Sequence, residues 1–88
     1  MRRTFIIQNK LGLHARAAAQ LVQLAAGFHS DLTITKDGQT VNGKSIMGLM
    51  MLAASQGATI QVDADGADAE PLLAAIEALV EAKFNESQ

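Results

Sequence analysis

The chain has 88 residues, a formal net charge of −2, three phenylalanines, and no tyrosine, tryptophan or cysteine. This length predicts a single domain over residues 1–88 with one modest core, and the lack of cysteine excludes disulfides and thiolate metal sites. The weakly acidic, aromatic-poor composition disfavours a nucleic-acid-binding surface. Two histidines are too few for a zinc site without carboxylates, so we expect no metal and no cofactor.

The first segment predicts a strand at residues 4–8 rather than a secretory signal. Two arginines precede it, as in a signal peptide, but only three apolar residues follow before Gln8. The longest apolar stretch, residues 46–54, is less than half of the ~20 residues that cross a bilayer. A cytoplasmic protein without membrane insertion is therefore the expectation.

A histidine lies where this strand gives way to a helix. Residues 9–12 predict a turn, and alanines and leucines recur at helical spacing from Ala15 onward. The N-terminus of a helix has unpaired N–H groups and a positive dipole, which favour an anion and disfavour an imidazolium. His14 is thus expected to be neutral, with one nitrogen able to attack phosphorus, and Arg16 can contact phosphate oxygens. Alternatively, His14 only caps the helix and Arg16 is a solvated charge.

Turn and capping residues predict the next three elements, two strands and a short helix. The pair Asp37-Gly38 between two alternating segments predicts a hairpin of residues 32–35 and 40–42. Ser45 stands just before an apolar run and predicts the N-cap of a short helix.

The last two elements complete the fold prediction. Residues 59–64 alternate as a strand, and Asp68 and Glu70 are expected to open the final helix. Its apolar stripe comprises Leu72, Leu73, Ile76, Leu79, Val80 and Phe84. The order β-α-β-β-α-β-α predicts an α/β (α+β) open-faced sandwich, in which helices cover one face of a four-stranded antiparallel sheet.

The short helix has more apolar side chains than one sheet can cover. One predicted stripe consists of Leu49, Leu52 and Ala53 with Ile46 at its edge, and the other of Met47, Met50, Met51 and Ala54. One stripe must therefore face away from the sheet. Its methionines either fill gaps in the core or form an adaptable surface that binds several partners in turn.

Three motifs carry a family resemblance: Gly12-Leu13-His14-Ala15-Arg16, Lys44-Ser45-Ile46-Met47-Gly48 and Gln56-Gly57. In their order and spacing the chain resembles HPr, the histidine-containing phosphocarrier of the bacterial phosphoenolpyruvate:sugar phosphotransferase system. The resemblance implies the HPr strand order and the phosphorylation of His14 by enzyme I. It also implies that Arg16 is the phosphate partner and that Ser45 is the regulatory serine, a substrate for an HPr kinase/phosphorylase.

The resemblance also implies a partner surface beside the histidine. The residues that would contact enzyme I and the EIIA-type acceptor proteins are Ile46, Met47 and Met50. The backbone amides of Ala15, Arg16 and Ala17 would hold the phosphate at the helix N-terminus. The family usually has proline where this chain has Ala17, and alanine restores an N–H that proline lacks.

A phosphocarrier of this kind is a protein substrate rather than an enzyme, and we expect it to be a monomer. Residues 9–12 and 49–52 also resemble the nitrogen-related branch of the family, whose role is regulatory, whereas residues 44–48 look more like the sugar branch. A second alternative is a regulatory module that docks without phosphoryl transfer. Loss of the nucleophile would mark such a module, and here His14 is present.

Overall fold

The computed structural model describes residues 1–86 and has the element order that the sequence predicts. The strands are β1 (Arg2–Ile6), β2 (Asp31–Lys36), β3 (Gln39–Asn42) and β4 (Thr59–Asp65). The helices are α1 (Ala15–Ala26), α2 (Ile46–Met51) and α3 (Ala69–Glu81), followed by a 3-10 turn at Lys83–Asn85.

The four strands form one antiparallel sheet in the order β1-β4-β2-β3. Ile34 of β2 pairs with Val62 of β4, and Phe5 of β1 pairs with Ile60. Because side chains alternate between the two faces of a strand, these apolar residues all join the core beneath the helices. The other face is polar and is lined by Thr4, Thr35, Thr59 and Gln61. The predicted open-faced sandwich is confirmed.

Local signals place the β2–β3 hairpin and the start of α2 as predicted. Asp37 and Gly38 have φ values of +51° and +82°, which suit a two-residue turn whose twist matches that of the flanking strands. Ser45 caps α2, because its Oγ accepts a hydrogen bond from the Gly48 amide at 3.0 Å. Both features depend on residues adjacent in sequence.

Two elements have other bounds than the sequence predicts: the short helix, expected to follow the apolar run to residue 54, and the first strand. Helix α2 ends at Met51, so Ala53, with φ +51°, is exposed and Ala54 is buried, the reverse of their predicted stripes. Strand β1 spans Arg2–Ile6 instead of residues 4–8. Beyond it, Ile7 is still bonded to the chain before β4, through its amide to the Ala58 carbonyl at 2.9 Å.

The end of α3 is a third correction. The helix stops at Glu81, and Phe84 does not continue its apolar stripe. Instead, Lys83, Phe84 and Asn85 have φ values of +56°, +52° and +61°, which turn the chain and bury Phe84 in the core. Helical spacing extrapolates a stripe past the point where the backbone leaves the helix, and no glycine or proline marks this point.

Asp68 precedes α3 as predicted, but its carboxylate does not cap that helix. It accepts hydrogen bonds from the His29 amide at 2.8 Å and from the amide and hydroxyl of the buried Ser30. The Ser30 hydroxyl and the His29 amide are the main causes that lower the pKa of Asp68 to about 2. Asp68 thus ties the start of α3 to the loop between α1 and β2, where His29 is exposed.

Candidate functional site

The turn before α1 delivers His14 to the helix N-terminus. Gly12 has φ +67°, a left-handed conformation that glycine adopts without strain, and its amide donates to the Asn9 carbonyl at 3.2 Å. The buried Leu13 donates its amide to the Ala54 carbonyl at 2.9 Å. The chain then enters α1 with His14 as the N-cap residue, in an extended backbone conformation.

The two ring nitrogens of His14 have different partners. Nδ1 accepts a hydrogen bond from the Arg16 amide at 3.3 Å, so it faces the first turn of α1. Nε2, on the opposite side of the ring, lies 2.6 Å from a carboxylate oxygen of Glu86. The side chain is 29% exposed, which leaves it accessible to a reactant. Because Nδ1 accepts a hydrogen bond, it carries the lone pair that a nucleophile needs.

Glu86 is a site residue that no sequence motif indicates. Its side chain is only 7% exposed, and its Oε2 also accepts from the Asn9 side-chain amide at 2.8 Å. Asn9 is fully buried and donates a second hydrogen bond to the Gly12 carbonyl at 2.8 Å. The carboxylate is therefore linked both to the histidine ring and to the turn that positions it.

The surroundings of Glu86 favour its ionised form. The hydrogen bond with His14 is the largest cause that lowers the pKa of Glu86, while burial opposes the shift. The Asn9 side chain and the Leu11 amide lower the pKa of this carboxyl further. The net shift is downward, so at neutral pH the carboxylate is charged and can only accept hydrogen bonds.

Arg16 supplies the positive charge of the candidate site. Its side chain is exposed and, within residues 1–86, forms no ion pair. The amides of Ala15 and Ala17 have no acceptor among the backbone carbonyls of the same described part of the chain. The first turn of α1 thus offers N–H donors and a guanidinium next to Nδ1, an arrangement that suits an anion with several oxygens.

The short helix α2 presents an exposed apolar surface. Ile46, Met47 and Met50 are 40%, 74% and 45% exposed, whereas Leu49 and Leu52 are buried. The prediction that one stripe faces away from the core is confirmed for Met47, Met50 and Met51, the last of which is 65% exposed. Ile46, predicted at the edge of the other stripe, is exposed together with them. Helix α2 packs beside α1, and the bond from Leu13 to Ala54 joins the histidine turn to the segment that follows α2.

The described part of the chain has neither a metal cluster nor a membrane-spanning helix. Among residues 1–86, no group of three or more histidine, aspartate or glutamate side chains is arranged to hold a metal ion. Across the same residues, no helix is both long and apolar enough to span a bilayer.

Residues 1–82 match the family model described as the PTS HPr component phosphorylation site. The chain belongs to the HPr family. Its fold and its family are thus those that the sequence motifs predict, and HPr proteins are phosphocarriers of the phosphotransferase system.

Individual relatives cover nearly the whole chain. A phosphocarrier protein HPr from Xylella fastidiosa is 53% identical over 81 residues, which cover 92% of this chain and 91% of the relative. A phosphocarrier protein NPr from Shewanella violacea is 45% identical over 87 residues, covering 99% and 96%. The crystal structure of HPr-C-His from Thermoanaerobacter tengcongensis is 45% identical, with a TM-score of 0.95 over 100% of this chain and 99% of that one.

Proposed function

We propose that this HPr-family protein is a phosphocarrier in which Nδ1 of His14 accepts a phosphoryl group from phosphorylated enzyme I. The group then passes to EIIA-type acceptor proteins. The observation that supports this proposal most is that the Nδ1 lone pair lies at the N-terminus of α1, beside the exposed Arg16 side chain. The protein is a substrate of its partners and not an enzyme.

The transfer step uses the groups around His14. The Arg16 amide first releases the Nδ1 lone pair. The lone pair then forms an N–P bond while the bond between phosphorus and the leaving atom of the donor breaks. A loose transition state spreads negative charge over the three phosphoryl oxygens. The Arg16 guanidinium and the amides of Ala15, Arg16 and Ala17 stabilise this charge, because hydrogen-bond donors and the positive end of a helix favour an anion.

The exposed stripe of α2 is the proposed docking surface, formed by Ile46, Met47 and Met50. Methionine side chains are flexible and polarisable, so one surface can fit enzyme I and several acceptors in turn. Each partner must reach the same histidine, so the partners dock in turn. The proposed carrier is a monomer and works in the cytoplasm.

Ser45 is the proposed regulatory phosphosite, modified by an HPr kinase/phosphorylase. Its hydroxyl lies at the N-terminus of α2, next to the docking surface. A phosphate there adds about two negative charges and leaves the docking surface with a group that resists desolvation in an apolar interface. Phosphorylation of Ser45 is thus expected to weaken docking and to leave the fold unchanged.

Mass spectrometry after incubation with enzyme I and phosphoenolpyruvate tests the proposal. We expect one phosphate per chain, labile in acid and stable in base as a phosphoramidate is, and no phosphate on His14→Ala. His29→Ala is the matched control, because this second histidine is exposed and should not alter the result. An acid-stable adduct, or one that persists in His14→Ala, would contradict the proposal.

Arg16→Ala tests the phosphate partner. Loss of a charge-assisted contact worth ~1.5–3 kcal/mol should slow phosphorylation by roughly 10- to 150-fold while the fold is kept. Lys10→Ala removes an exposed positive charge within the turn itself and serves as the control. Equal rates for the two variants would reduce Arg16 to a general surface charge. The rates with the enzyme I of the sugar branch and of the nitrogen-related branch then decide which branch this carrier serves.

A further inference from the structure

The C-terminal segment holds a carboxylate against the nitrogen of His14 that faces away from α1. We infer that Glu86 is a positioning residue for phosphoryl transfer. Its carboxylate keeps the His14 proton on Nε2 and balances the positive charge that the ring acquires when Nδ1 bonds to phosphorus. The inference rests on the proposed function, and it adds a role for a residue that no motif of the chain indicates.

The contacts of His14 select one tautomer of the ring. A neutral imidazole has a single proton, on Nδ1 or on Nε2. Glu86 Oε2 lies 2.6 Å from Nε2, and since a carboxylate can only accept, Nε2 must donate. The Arg16 amide donates to Nδ1, which therefore has no proton. Two contacts from opposite ends of the chain thus leave the lone pair at the N-terminus of α1.

The position of the Glu86 carboxylate is built into the fold. Phe84 is buried in the core, only two residues earlier. The Asn85 side-chain amide donates to Gln20 Oε1 of α1 at 3.0 Å. Asn9 then holds Glu86 Oε2 at 2.8 Å from its own side-chain amide. A freely moving surface carboxylate would be well exposed, whereas this one is nine-tenths buried.

The charge on Glu86 matters during the transfer step. As the N–P bond forms, the bond from phosphorus to the donor breaks, and its electron pair leaves with the donor. The ring becomes an N-phosphoimidazolium with its proton still on Nε2. A carboxylate hydrogen-bonded to the nitrogen opposite the reacting one stabilises such an imidazolium. Transfer to the acceptor returns the same neutral tautomer, so no proton moves in either direction.

The test combines the tautomer of the resting protein with its reactivity toward a small phosphoryl donor. The ¹⁵N chemical shifts of the His14 ring report which nitrogen is protonated, and phosphoramidate phosphorylates histidine without any docking partner. We compare wild type with Glu86→Ala and Glu86→Gln. Glu81→Ala is the matched control, because it removes an exposed carboxylate at the end of α3.

We expect the Nε2–H tautomer in wild type and in Glu81→Ala, and a mixture of tautomers in Glu86→Ala. Phosphorylation of Glu86→Ala by phosphoramidate should be about tenfold slower, as for the loss of one charge-assisted contact to the reacting ring. Glu86→Gln should keep most of the tautomer and show an intermediate rate, because its carbonyl accepts from Nε2–H without carrying a charge.

Unchanged ring shifts and an unchanged rate in Glu86→Ala would overturn the inference. A faster rate would overturn it as well, since the C-terminal segment would then obstruct the histidine. Failure of the proposed function is distinguishable from both outcomes. In that case enzyme I would not phosphorylate wild-type His14, while the tautomer and the phosphoramidate rate would still decide the role of Glu86.

Discussion

Replacing Gly12 by alanine should disturb the turn that positions His14. An added Cβ would lie 2.3 Å from the Ala54 carbonyl oxygen and 2.9 Å from the Ser55 Cα. Both are backbone atoms, so no side-chain rotation relieves the contact. The obstructed carbonyl is also the acceptor of the Leu13 amide, and this hydrogen bond must lengthen or break when the turn shifts.

The expected cost of Gly12→Ala has three parts. A left-handed alanine costs about 1 kcal/mol, the lost hydrogen bond about 1 kcal/mol, and partial exposure of Leu13 about 1 kcal/mol. The free energy of unfolding should therefore fall by roughly 3 kcal/mol. For a domain of this size each kcal/mol corresponds to about 4–8 °C, so the melting temperature should fall by roughly 12–24 °C.

Gly57→Ala is the control for this prediction. Gly57 also has a left-handed φ, of +89°, but an added Cβ would have no atom within 4 Å. It should lose only the ~1 kcal/mol that the left-handed conformation costs. Urea unfolding of the two variants gives both free energies, and the rate of His14 phosphorylation should fall in Gly12→Ala alone. Equal losses of stability would show that the Ala54 carbonyl does not constrain the turn.

Four further predictions concern other parts of the site and fold. Ala17→Pro should raise the free energy of unfolding by up to ~1 kcal/mol, since within residues 1–86 no backbone carbonyl accepts a hydrogen bond from the Ala17 amide. A lower melting temperature would show that the buried position has no room for the proline ring. Ser45→Asp should leave the melting temperature nearly unchanged, because aspartate also caps helices, but should slow His14 phosphorylation by enzyme I. Met47→Ala should weaken docking by at least ~1 kcal/mol. Met51 is an exposed methionine of the same helix outside the proposed docking surface, so Met51→Ala should not weaken docking. If neither Ser45→Asp nor Met47→Ala slows transfer, the docking surface lies elsewhere. Asp68→Asn should be less stable than wild type above pH 3.8, and the difference should shrink as the pH falls toward about 2. Between these pH values the folded chain binds fewer protons than the unfolded chain, because folding lowers the pKa of Asp68. A difference in melting temperature that stays constant down to this pH would contradict the role of the carboxylate.

The sequence by itself determined the elements whose causes are local. Asp37-Gly38 forms the predicted hairpin because both residues tolerate a positive φ. Ser45 caps α2 through an amide three residues away. Helical spacing after Ala15 leaves His14 at the helix N-terminus, where backbone geometry alone supplies the N–H donors. Each of these features depends on atoms within a few residues of one another.

Only the tertiary structure decided where periodic segments end and which distant groups meet. In the sequence, Phe84 follows Val80 at helical spacing, but α3 ends at Glu81. The backbone then turns left-handed, and this turn rather than the helix buries Phe84. That turn brings Glu86 to His14, 72 residues away in sequence, and Asp68 binds Ser30 rather than its own helix for a similar reason. Spacing records which side chains are apolar along a regular backbone. Contacts between remote segments depend instead on how the buried surfaces pack together.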